Sequence, residues 1–136
     1  MKLRTALVSL ALASALAVAA CGGESESEEA AEQNATPAQA RAEIVQVRKA
    51  LDSAVAQLKE GDAKAADNTV SEGYLEHFEK VEGPLDDVDH ELNEKLEDSI
   101  REELREKIQD GGSVAEVTRM ISAIKADLAT AEQKLQ

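Results

Sequence analysis

The chain has 136 residues, with 28 acidic against 15 basic side chains, a net charge of −13, one cysteine and no tryptophan. So acidic a chain is repelled by nucleic acid and by anionic membrane surfaces. One cysteine excludes an internal disulfide, a thiolate zinc site and a CxxCH haem attachment, and the length suits one domain with a single core.

Residues 1–20 read as a signal peptide. Lys2 and Arg4 form a positive head, and Ala6 to Ala20 is apolar apart from Ser9 and Ser14. At 15 residues this run falls short of the about 20 that span a bilayer and fits a signal h-region. Val18-Ala19-Ala20-Cys21 resembles the lipobox of bacterial lipoproteins. The resemblance implies diacylation of the Cys21 sulfur, cleavage before it and acylation of the new amino group. Two or more acyl chains anchor stably where a single one is marginal. Cleavage removes Lys2, Arg4 and no acid, so 13 basic against 28 acidic side chains leave −15 over 116 residues. An ordinary signal peptide with an incidental cysteine is the alternative.

Residues 21–36 follow as the acylated cysteine and an acidic linker. Gly22 to Thr36 holds five glutamates and no large apolar residue. Such a segment buries too little surface to offset its ordering entropy, so a disordered tether is expected. Extended, it reaches roughly 50 Å.

Residues 37–136 are expected to be all-α, an up-down four-helix bundle. Thr36 and Pro37 supply an N-cap and a proline at the first helical position. Ile44, Val47, Leu51, Ala54, Val55 and Leu58 form one apolar stripe, and Gly61 ends that helix. Asp62 caps a second helix carrying Val70, Tyr74, Phe78, Val81 and Leu85, with a break predicted at Gly83-Pro84. Asp87 or Asp89 caps a third, with Leu92, Leu96, Ile100, Leu104 and Ile108, which Gly111-Gly112 ends. Ser113 to Glu116 is a capping box for a fourth, striped by Val114, Val117, Ile121, Ile124, Leu128, Ala131 and Leu135. Short connections favour the bundle over an extended coiled coil.

Catalytic constellations are missing from the sequence. Cys21 is assigned to lipid, the serines sit in no strained turn motif, and there is no phosphate loop, HExxH or GxSxG. A non-enzymatic protein is expected. Oxygen ligands do line two helices. His77 and Glu82 border the second stripe, and Asp89, Asn93 and Glu97 follow an i, i+4, i+8 line beside the third. Carboxylates on facing helices are how bundles hold di-metal centres, and hard cations and iron accept such oxygen sets. The competing reading is that these are solvated rim acids and a packing histidine.

Gly73-Tyr74-Leu75-Glu76-His77-Phe78-Glu79-Lys80-Val81-Glu82-Gly83-Pro84-Leu85, with Asp89, Leu92, Leu96 and Glu97 beyond it, resembles the extracytoplasmic helical region of bacterial high-affinity iron permeases of the Ftr type. The resemblance runs over roughly residues 63–135. It implies packing roles for Tyr74 and Phe78, and contact of Glu79, Glu82, Asp89 and Glu97 with iron or a partner. The permease's own Arg-Glu-x-x-Glu motif has no counterpart, since Arg101-Glu102-Glu103-Leu104 ends in Arg105. A GxHxxE motif of imelysin-like proteins is also missing, because Lys80 stands three residues after His77.

The sequence therefore leads to a lipid-anchored envelope protein. Its place is the periplasmic face of the outer membrane in a Gram-negative host, otherwise the outer face of the plasma membrane. It would assist iron or divalent-cation uptake through His77, Glu79, Glu82, Asp89 and Glu97, or by docking on a permease. The alternative is a structural or adaptor lipoprotein that binds another envelope protein without metal.

Overall fold

A computed structural model describes residues 35–136; the signal peptide, Cys21 and most of the linker lie outside them. All elements are helical, and no strand occurs among the described residues. Helix α1 is Pro37–Lys59. A second run comprises α2 (Ala63–Gly73), a π-helical turn Tyr74–Phe78, α3 (Glu79–Asp98), a second π-turn Ser99–Glu103 and α4 (Leu104–Gln109). Helix α5 is Val114–Lys134.

Local chemistry accounts for both loops. Thr36 accepts from the Gln39 amide while Gln39 returns a bond to the Thr36 amide, which with Pro37 starts α1. After α1, Gly61 takes φ +84°, Gly61 N donates to Leu58 O, and Asp62 N donates to Gln57 O. After α4, Gly111 at φ +76° closes the same pattern onto Ile108 and Lys107. Each glycine supplies the left-handed conformation that this double closure of a helix end requires. Asp62 and Ser113 then cap α2 and α5.

The expected break at Gly83-Pro84 is not there. Gly83 and Pro84 lie inside α3, and the one residue of α3 with non-helical angles is Asp89, at φ −160° and ψ 83°. A proline inside a helix forfeits a backbone bond and crowds the preceding turn. Pro84 is itself buried between Val81 and Leu85, each with no exposed surface, and that packing overrides the local breaker. Asp89 acts as the cap anticipated for it, accepting from the Leu92 amide at 3.1 Å.

The chain reverses at that residue. Arg105 Nε donates to Asp67 Oδ1 at 2.8 Å, although 38 residues separate them. In a straight helix they would stand about 57 Å apart at 1.5 Å per residue. The arm before Asp89 therefore lies alongside the arm after it.

The core follows the apolar stripes. Ile44, Leu51, Phe78, Leu96, Leu104 and Leu128 are among its fully buried side chains, and Val55, Leu92, Val114 and Met120 pack at its edge. The stripes also explain the π-turns. In α1 and α5 the apolar positions alternate by three and four, matching 3.6 residues per turn. In the middle run Ala66, Val70, Tyr74 and Phe78, then Leu92, Leu96, Ile100, Leu104 and Ile108, are spaced by four throughout. Each step of four drifts by about 40° around an α-helix. A π-turn admits one extra residue and takes back about 100° of that drift. Both turns occur within these segments and keep Tyr74, Phe78 and Ile100 buried.

Candidate functional site

Tyr74 of the first π-turn and Arg101 of the second come together across the hairpin, and polar side chains gather beside them. Tyr74, in the first, is 6% exposed, and its ring lies 5.8 Å from that of Phe78. Its hydroxyl donates to Glu82 Oε1 at 2.6 Å, two turns onward. Burial, and then this carboxylate neighbour, push the tyrosine well above its ordinary value. From the second π-turn, Arg101 stands beside the Tyr74 hydroxyl and donates to Glu97 Oε1 at 2.6 Å.

Glu82 carries its charge at a cost. Burial raises its pKa, and the charges of Glu97 and Glu79 raise it further, while the Tyr74 hydrogen bond and Arg101 act in the opposite direction. Two carboxylates, Glu82 and Glu97, thus share the neighbourhood of one guanidinium and one phenol. On its outer side an open groove of about 200 Å³ is lined by Ser71, Tyr74, Leu75, Arg101 and Arg105. Leu75 is 55% exposed there, and Arg105 is engaged by Asp67.

The five candidate ligands do not converge. Glu82 and Glu97 meet as neighbours with Glu79 exposed at their edge. His77 instead faces α1, its Nδ1 at 2.7 Å from Glu43 Oε2, with Lys80 3.7 Å from the other Glu43 oxygen. Asp89 sits at the reversal, where its second oxygen pairs with Lys134 at 2.9 Å. Asn93, between Asp89 and Glu97 on their helical line, is 7% exposed, and its Oδ1 has no partner. Among the described residues no group of three or more His, Cys, Asp or Glu is gathered closely enough to hold a metal ion.

Sequence reasoning missed Arg101, Glu43 and Lys134, the countercharges that claim these acids and His77. Glu97 and Arg101 carry a readable signal, since an i, i+4 pair of opposite charge bonds along a helix. Glu43 and Lys134 carry none, because they reach the site from other helices. Tyr74 and Phe78 are packing residues, as the spacing of the stripe requires.

No family model matches the chain, and neither a curated protein nor a solved structure does.

Proposed function

We propose that the chain is a lipid-anchored, non-enzymatic accessory of the cell envelope, which docks its helical domain on a membrane partner. The observation that carries this is the lone Cys21 directly after Ala19-Ala20, at the end of a signal-length apolar run and ahead of an acidic linker. Acyl chains on Cys21 are the attachment in this reading; no helix among the described residues is long and apolar enough to cross a membrane. The resemblance of residues 73–97 to the extracytoplasmic region of iron permeases supports iron or divalent-cation uptake as the process served. The domain is an up-down four-helix bundle in the same reading, with Asp89 as its middle turn. The Asp67–Arg105 pairing across the hairpin and the Arg48–Glu132 pair joining α1 to α5 support it.

Fractionation of cells expressing the protein tests the anchor. The wild type sediments with membranes and incorporates labelled palmitate, and Cys21→Ser releases it into the soluble periplasmic or culture fraction. A wild type already soluble there removes the basis of the proposal.

Cation capture is a second reading, favoured by the excess of carboxylate over guanidinium at Glu79, Glu82, Glu97 and Arg101. A cation bound only by the native state raises the melting temperature by mass action. Micromolar iron should therefore raise Tm in the wild type and not in Glu82→Gln/Glu97→Gln. No shift with iron, manganese, copper or zinc eliminates capture and leaves an adaptor that binds protein alone.

A further inference from the structure

The other two helix connections each spend several residues and a left-handed glycine, at 60–62 and 110–113. The reversal at Asp89 spends one residue. Val88 and His90 on either side are helical, and Asp89 itself, at φ −160°, is extended backbone that any residue can adopt. Rotation of this single residue into the helical basin would join residues 63–109 into one helix of 47 residues, about 70 Å long. Residues 90–136 would then be carried away from residues 35–88.

From this we propose that Asp89 is a hinge about which two copies of this chain exchange residues 90–136. The core permits it. Val81 and Leu85 on one arm and Leu96, Ile100 and Leu104 on the other are buried in one shared core, and the same faces meet the same partners when the second arm comes from another copy. The dimer forfeits the two contacts that Asp89 itself makes in the closed hinge: its bond to the Leu92 amide at 3.1 Å and its pair with Lys134 at 2.9 Å. The Asp86–His90 contact spans the hinge at i, i+4, a spacing that a continuous helix keeps. Val88, 50% exposed at the turn, suits a two-fold contact, because the exchange sets the two hinges side by side. Against association stand Asp87 and Glu91, whose like charges approach in the dimer, together with Asp86 and Glu94, which His90 contacts on either side. Salt screens that repulsion, so the dimer fraction rises with ionic strength.

The test is light scattering on size-exclusion fractions of the detergent-solubilised full chain at rising protein concentration. Asp89→Ala removes the cap and the ion pair and favours helix at the hinge. It raises the dimer fraction about tenfold at equal concentration. Insertion of Gly-Asn-Gly after Val88 lengthens the turn and abolishes the dimer with helicity unchanged. An Asp67→Cys/Arg105→Cys pair reports the exchange itself. A short bis-maleimide, which spans the reach of an arginine–aspartate pair, bridges it within one chain in the monomer fraction and between chains in the dimer fraction. Bridges confined to single chains in the dimer overturn the proposal, as does an Asp89→Ala protein as monomeric as the wild type. If Asp89→Ala fails to fold, Lys134→Ala decides, since it leaves the cap intact. An increase of about two- to threefold in dimer supports the hinge, and no increase overturns it.

Discussion

The Tyr74 hydroxyl donates to Glu82 Oε1 at 2.6 Å, tying the first π-turn to the acidic edge of α3. This bond partly satisfies a carboxylate that burial and two acidic neighbours disfavour. The cost of that charge should therefore be visible in stability.

Glu82→Gln keeps an acceptor for Tyr74 and removes the charge. Because the native carboxyl titrates above its ordinary 4.5, the native state is penalised wherever Glu82 is ionised. The penalty fades as pH falls through the native value and is gone below 4.5. The variant is expected to melt a few degrees above the wild type at pH 7, with the gap closing by pH 4. Thermal melts across that range check it; a variant less stable at pH 7 contradicts the assignment.

Asp67 carries the opposite sign. Hydrogen bonds from Arg105, and then Gln109, hold its carboxyl below its ordinary 3.8 despite partial burial. Its contribution is present above 3.8 and lost as pH falls through the lower native value. Asp67→Asn is expected to cost about 1 kcal/mol at pH 7 after solvent screening. Urea titrations of both proteins should converge at the acid end of the accessible range.

At Gly73 α2 passes close to α1, since a Cβ there would meet Ala50 Cβ at 2.7 Å. Alanine gains about 1 kcal/mol in helix propensity over glycine. Overpacking a tight helix contact costs about 1–3 kcal/mol. Gly73→Ala is therefore expected to destabilise by about 1 kcal/mol net, and Ala50→Gly in the same chain to recover most of the clash. A double-mutant cycle by urea denaturation measures that coupling; simple additivity argues against the contact.

Much of the helical architecture is legible in the residues. Thr36, Asp62 and Ser113 cap the helices they announce, Gly61 and Gly111 end theirs, and the stripe from Leu96 to Ile108 is buried residue for residue. Gly83-Pro84 misleads because local breaking strength says nothing of the burial that Val81 and Leu85 supply on either side. The π-turns were written in the four-residue spacing of the middle stripes, which no α-helix can keep on one face. The site is only half legible. Spacing along a helix shows that Asp89 and Glu97 share a line, but which helix brings Lys134 or Glu43 is decided by packing over 45 and 34 residues of sequence.

The most direct test of the anchored accessory is the intact mass of the protein extracted from membranes. The expected species begins at Cys21, lacks residues 1–20, and carries the added mass of acyl chains that alkaline hydroxylamine partly removes. A species that retains residues 1–20, or one cleaved elsewhere with an unmodified Cys21, contradicts it.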